Sequence, residues 1–358
     1  MNLIDFSKQL EEFYSAKKDE IKNIWSLLDK AKENFFLHFD SIDSTEFKYI
    51  SYKSPTLSPI LRNQQMRNKL RDDIETINAS VLTMVGGDIN KALDDFYKVL
   101  FPNNKCIAKP LELKAGYPFY RMRSAEKYEI FDRKSMFLHS FDSLSKIGLA
   151  RYNRQGFPCL YLASSLYVCW EELRRPDFSK VNFSLFKNRR SVMLLDITIA
   201  VKCNNYGKFL MAYLSLLCGC SVEDDQNSYK FEYDVPNMVF YLLIMNNKKN
   251  GIIDGIRYMS SKRYYCTNLQ FSYNRSIMYA YVFPVKKISK EEYCLDLCNL
   301  FRLTKGYTYF LYKIHSFIFY KDTAWTTNYK SSLFYDLEQQ LQKEKLKSPP
   351  QKDKKDDD

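Results

Sequence analysis

Apolar residues recur three and four positions apart through the first hundred residues. Ile21, Ile24, Trp25 and Leu28 share one stripe, and Leu70, Ile74, Ile77 and Val81 share another. That period belongs to the α-helix, so the stretch from about Leu3 to Leu100 is predicted to be helical. Ser54, Pro55, Ser58 and Pro59 divide it, Gly86-Gly87 interrupts it again, and Phe101-Pro102-Asn103-Asn104 with Lys109-Pro110 marks a linker. From Pro118 the pattern shortens. Residues 119–122, 159–163, 192–198, 252–259 and 277–285 read as strands, while Phe209–Cys218 and Pro236–Asn246 read as helices, the second with proline in its first turn, where the missing N–H costs nothing. Helices break into a small mixed sheet without a regular βαβ beat, which predicts the α+β class. Residues 289–345 return to a helical, tyrosine-rich pattern. The ending SPPQKDKKDDD is charged and proline-marked, as disordered tails are. The expected organisation is a helical domain over 1–105, an α+β domain over 110–288, a helical extension over 289–345 and a disordered tail over 346–358.

Composition narrows the function. With 46% hydrophobic and 16% aromatic residues among 358, the chain can bury a sizeable core. The net charge of +12 invites a nucleic-acid partner. The lysines are scattered, however, and accompany abundant Asn, Tyr and Ile, the usage of AT-rich codons, which argues against one. A basic pocket would still draw an anionic dinucleotide. Nine cysteines form no framework, which points to reduced thiols and the cytoplasm. Cys218-Gly-Cys220 and the pair Cys294 and Cys298 lack a second pair at ligand spacing, and His38, His139 and His315 stand far apart, so no metal site is expected. The polar, early-acidic N-terminus is no signal peptide. The longest apolar run, Phe209–Cys220, is too short for a bilayer, so no membrane association is expected. Glycine-rich phosphate loops, HExxH and GxSxG are absent from the sequence.

One segment concentrates chemistry: GLARYNRQGFPCLYLASSLYVCWEE, from Gly148 to Glu172. Arginine binds phosphate through a planar fork, tyrosine stacks on a planar ring, and a carboxylate stabilises a developing cation. Arg151 precedes the turn at Gly156, Tyr161 lies in the strand CLYLA, and Glu172 sits on the helix that follows. On a helix starting near Ser165, the inward stripe is Leu166, Cys169, Trp170 and Leu173. Glu172 then lies about 110° from its centre and Glu171 about 150°. Glu172 is the better pocket residue, and Glu171 is expected to be a solvated acid. Two flanking residues also sit at strand edges: Arg121 in FYRMR and Ser260 at the end of GIRYMS, with Ser261 its neighbour. Taken alone, Arg121 reads better as a strand-edge arginine paired with a carboxylate, and Tyr161 could equally be a core tyrosine with a satisfied hydroxyl. Arg123 and Arg154 are expected to be solvated.

In order, the pieces YRMR, ARYNRQGFP, CLYLASSLYVCWEE and DGIRYMSS resemble the RES domain, a family named for its Arg, Glu and Ser. The likeness covers about Tyr117 to Val285. Ala150 stands where glycine is usual, Met122 where an aromatic can occur, and Glu172 follows Tyr161 by eleven positions, the family's spacing. The resemblance implies an ADP-ribosyltransferase-like fold that takes NAD as substrate. It also implies a toxin that degrades NAD or transfers ADP-ribose, neutralised by a partner antitoxin. Arg121 and Arg151 would bind the phosphates, Tyr161 would hold the nicotinamide ring, and Glu172 would stabilise the cationic ribose. Ser260 would bond the ribose and orient Glu172. The acceptor is left open among water, phosphate and a protein side chain. The alternatives are a protein ADP-ribosyltransferase with a macromolecular ADP-ribose acceptor, and an RNA-binding or interaction module with no NAD activity. Some RES proteins carry a HEPN-like helical region in front, which residues 1–100 fit. The ribonuclease signature of that region sets an arginine before its histidine, and no arginine precedes His38, so a scaffold or partner-binding role is expected there.

Overall fold

The computed structural model describes residues 1–13, 18–43, 45–46, 63–126, 128–220, 229–249, 252–261, 275–286, 293–315 and 329–349. The predicted break at Ser54–Pro59 and the last nine residues lie outside them. In chain order the helices are α1 (Leu3–Glu11), α2 (Ile24–Asp40), α3 (Asn63–Val85), α4 (Ile89–Leu100), α5 (Arg133–Met136), α6 (Leu166–Glu172), α7 (Tyr206–Cys218), α8 (Asp234–Lys249), α9 (Leu295–Leu300), α10 (Tyr309–His315) and α11 (Leu333–Leu341). The strands are β1 (Leu111–Leu113), β2 (Pro118–Ser124), β3 (Cys159–Ala163), β4 (Val181–Asn188), β5 (Val192–Ile197), β6 (Gly255–Met259), β7 (Tyr279–Pro284), β8 (Phe301–Leu303) and β9 (Tyr307–Thr308). The fold is α+β, with a helical N-terminus. No helix among the described residues is long and apolar enough to cross a membrane.

The chain divides into two compact units. The first gathers residues 1–111, 150–152 and 195–253, and the second 112–149, 153–194 and 254–358. The first break falls just past Lys109-Pro110. Helices α7 and α8, which the sequence reading placed within 110–288, cluster with the N-terminal helices instead.

In the first unit, α7 is buried on nearly every side. A helix apolar all round has no solvent face to offer, and this one serves as the core. Phe209 and Tyr213 on α7 meet Phe6, Phe35 and Phe39 edge-on, with ring centroids 5.1–5.5 Å apart for Phe6–Phe209, Phe39–Phe209 and Phe35–Tyr213. Gly207 is required there: a Cβ would stand 2.5 Å from the Ile107 carbonyl oxygen. The inward stripe of α2 is Ile24, Leu27, Leu28, Ala31, Phe35 and Phe39. Trp25, expected in that stripe, is instead 56% exposed, because it lies one 100° step from Ile24 and off the stripe.

In the second unit the sheet is ordered β1-β5-β6-β7-β3-β2-β4-β8, with β9 also pairing β4. Seven residue pairs join β2 to β4 antiparallel, from Pro118↔Lys187 to Ser124↔Val181. Strand alternation turns Tyr120 and Met122 into one core with Phe183 and Leu185, beneath Leu166, Tyr167, Val168 and Trp170 of α6 and Phe334 and Leu337 of α11. Phe119, Tyr281, Phe283 and Phe301 form a separate aromatic cluster, with centroids 4.9–5.8 Å apart. β4, absent from the sequence reading, is a central strand. Its asparagines and serine made it look polar, yet they satisfy loop backbone. Asn182 Nδ2 donates to the Glu129 carbonyl at 2.9 Å, Asn188 Nδ2 to the Lys114 carbonyl at 2.9 Å, and Ser184 Oγ to the Thr304 carbonyl at 3.1 Å. The stretch 289–345, predicted wholly helical, contributes strands β8 and β9 to the sheet. Lys347, at the start of the predicted tail, bridges Leu303.

Candidate active site

Helix α6 starts at Ser165, whose Oγ accepts the Val168 N–H at 3.2 Å, and donates to the Ile277 carbonyl at 2.7 Å. A second device holds this end. Glu338 on α11 accepts the Leu166 N–H at 2.7 Å and the Tyr329 hydroxyl on the same oxygen, Oε1. Gln342, just past α11, donates to the Tyr120 hydroxyl at 3.2 Å, so the C-terminal segment braces both α6 and β2. Burial pushes the Glu338 carboxyl up to about 7, although both hydrogen bonds pull the other way.

The other end of α6 stops abruptly. Arg174 and Arg175 adopt left-handed backbone, φ 63° and 57°, and their N–H groups close on the carbonyls of Glu171 (3.0 Å) and Trp170 (2.9 Å). Non-glycine residues in that region carry a conformational cost, met here by the two caps. The helix therefore ends on Glu172, whose carboxylate is exposed. Ser260, fully buried where the chain leaves β6, donates from Oγ to Glu172 Oε1 at 2.6 Å, and its own N–H is held by the Met278 carbonyl at 3.0 Å. A serine fixed by the sheet thus aims an exposed carboxylate.

Glu171 is not solvated. It is 4% exposed, its Oε2 pairs with Arg175 Nε at 3.0 Å, and its Oε1 is buried without a hydrogen bond. The helical projection failed because residues 166–170 are all buried: a helix covered on every side has no solvent face for the projection to find.

Arg121 is half-buried on β2 with no ion pair among the described residues. Its Nη1 donates to the Tyr161 carbonyl at 3.1 Å, and its Nε is buried with no hydrogen bond. Burial is the main reason its guanidinium is pulled down to about 9, and Arg123 adds like-charge repulsion. Among the described residues it lacks the carboxylate partner that a structural arginine would carry. Arg123, expected to be solvated, is half-buried and donates from Nη1 to the Ser135 carbonyl at 2.5 Å, whereas Arg154 is exposed as expected. Tyr161 is half-buried, its hydroxyl donating to Asn153 Oδ1 at 2.9 Å, and Asn153 in turn donates to the carbonyls of Gly148 and Arg154.

Two pairs therefore emerge, Arg121 with Tyr161 and Glu172 with Ser260. The buried thiol of Cys169 on α6 links them. Its Sγ donates to the Tyr120 carbonyl at 3.5 Å, and it feels both the Arg121 cation and the Glu172 carboxylate. Arg151 lies in the first unit. It donates from Nη1 to the Cys218 carbonyl at the end of α7, at 2.7 Å, and lies over the Tyr233 ring at 5.5 Å, the arrangement of a cation closing a helix C-terminus. His139 was passed over in the sequence. Its own burial, with the charges of Arg123, Arg121 and Lys146 added, holds its imidazole below the ordinary range. No spacing signal could have shown it, since the chain folds it back from eighteen positions after Arg121. Among the described residues, no three His, Cys, Asp or Glu side chains are placed to hold a metal ion.

Comparison with known proteins adds one relative. A protein of Bacillus subtilis (strain 168) named "Putative toxin YopC" is 24% identical over 330 residues, covering 87% of this chain and 71% of that protein. No family model matches the chain, and no solved structure matches it.

Proposed function

We propose that this protein is a toxin-type enzyme that consumes NAD by cleaving its nicotinamide–ribose bond, and that a partner antitoxin restrains it. The observation that carries the reading is exposed Glu172 oriented by buried Ser260, with the Cys169 thiol feeling both that carboxylate and Arg121, an arginine with no ion pair among the described residues. A paired, immobilised carboxylate suits a cation that exists only in the transition state, because its dipoles need no reorganisation as charge develops. A half-buried arginine with no carboxylate partner among the described residues suits an anion supplied by substrate. The toxin name of the similar protein supports the biological half of the reading, and the RES-like motif order supports the chemical half.

In this mechanism Arg121 holds the dinucleotide by phosphate and the Tyr161 ring packs on nicotinamide. The C1′–N bond breaks and its electron pair leaves with the nicotinamide nitrogen, which becomes neutral. The oxocarbenium ion left on ribose is stabilised by Glu172. With water as acceptor, oxygen bonds to C1′ and its proton passes through Glu172 to solvent, giving ADP-ribose.

The test is nicotinamide release from NAD by wild type, Arg121→Ala and Glu172→Gln. Release by wild type alone is the expected result. No release at any enzyme concentration, with or without added protein, sinks the reading. Release that requires a macromolecular acceptor, which becomes labelled, replaces hydrolysis with protein ADP-ribosylation.

A further inference from the structure

Arg121 and Arg123 are two positions apart on β2, so their side chains leave the same face of the sheet. Arg123 donates to the Ser135 carbonyl, which draws the segment of α5 and its continuation toward that face. His139 follows in that segment, where burial and the charges of Arg123, Arg121 and Lys146 lower its imidazole's affinity for a proton. Neither arginine has an ion pair among the described residues. Arg121 Nε is enclosed and unbonded, and the single hydrogen bond given for each guanidinium goes to a neutral carbonyl. Like charges held together without an acid raise the energy of the empty protein, and an oxyanion relieves it.

We propose that Arg121, Arg123 and His139 form one oxyanion-binding surface that takes the pyrophosphate of the dinucleotide. This rests on the NAD reading for the identity of the ligand, but not for the existence of the site. Two guanidiniums on one strand face can each serve one phosphate of a pyrophosphate. His139 is the variable member. Burial disfavours its protonated form, and the charged groups acting on it, Arg123, Arg121 and Lys146, are all cationic and add to that effect. A bound pyrophosphate adds negative charge and lets the imidazole take a proton, so binding takes up a proton and strengthens as pH falls.

The probe is ADP-ribose, which carries the pyrophosphate but no scissile nicotinamide bond, with nicotinamide riboside as the control lacking phosphate. Calorimetric titration of the full chain should show Arg123→Ala and Arg123→Lys each weakening ADP-ribose binding about tenfold, since lysine cannot serve Ser135 and phosphate together. Thermal melts confirm folding, and Arg123→Lys covers the case in which alanine unfolds the loop. Wild-type affinity should rise from pH 8 to pH 5.5, and His139→Gln should abolish the rise. Unchanged affinity in both Arg123 variants, or a pH response that survives His139→Gln, overturns the proposal. ADP-ribose binding with this pattern but no NAD cleavage leaves the site standing and removes the enzymatic reading instead.

Discussion

Glu338 makes a stability prediction that depends on tertiary structure alone. The residue is 5% exposed, no cation pairs with it among the described residues, and its neighbours Tyr329, Tyr120 and Cys169 are neutral groups whose own ionisation burial suppresses. Desolvation therefore prevails over its two hydrogen bonds, and the carboxyl is pushed from 4.5 to about 7. The folded state then binds more protons than the unfolded state between those values. The stability this group contributes is full below about pH 4.5 and is lost as pH rises through 7. At 1.36 kcal/mol per pH unit, the difference is roughly 3 kcal/mol. Glu338→Gln keeps an Oε1 acceptor for Leu166 and Tyr329 but does not titrate. Urea denaturation of both proteins from pH 5 to pH 8.5 isolates the group, because every other titrating residue is common to the two. Wild type should lose roughly 3 kcal/mol relative to the variant across that range. Curves that stay parallel within about 0.5 kcal/mol would refute the argument that burial, uncompensated by charge, governs this carboxyl.

Three further outcomes follow from the same structure. Arg121→Met should stabilise the ligand-free protein by about 1–3 kcal/mol in urea denaturation while ending nicotinamide release, because it removes a half-buried cation that has no acid partner among the described residues; a destabilised variant would contradict this. Ser260→Ala should lower kcat by about tenfold or more with KM nearly unchanged, since Ser260 aims Glu172; an effect on KM alone would assign the serine to binding. Gly255→Ala should cost about 1–3 kcal/mol by thermal melt, because a Cβ would press on the Val282 carbonyl oxygen and stand 3.0 Å from Phe283 Cδ1; an unchanged melting temperature would show that β6 and β7 can part there.

The missed features share causes. β4 was hidden because Asn182, Ser184 and Asn188 face loops that need their amides and hydroxyl, and a strand with satisfied polar groups looks like a loop to a hydrophobic pattern. Arg123 was assigned to solvent because sequence gives the charge but not the Ser135 carbonyl that meets it. Glu171 and Glu172 show the limit at its sharpest. Their projection assumed a half-buried helix, and α6 is enclosed by β2, Phe178, Phe334 and its own left-handed cap.

Local pattern determined what local physics controls. The apolar period of residues 70–81 specified a helix and that of Ile24 and Leu28 another, though Ile21 precedes it and Trp25 lies off its stripe; the short runs at 119–122 and 159–163 specified strands, and their irregular alternation specified the α+β class. Residue types and order, together with the RES-like motif, named Arg121, Arg151, Tyr161, Glu172 and Ser260 as candidates. Only the tertiary structure decided which of them meet. Ser260 is 88 positions from Glu172, and Glu338 lies 172 positions from the Leu166 N–H that it holds. Contacts over such separations depend on strand register and on which faces are covered, quantities that no window of sequence contains. Ionisation follows the same rule, since the enclosure of Arg121 and Glu338 is set by what packs around them and not by what precedes them.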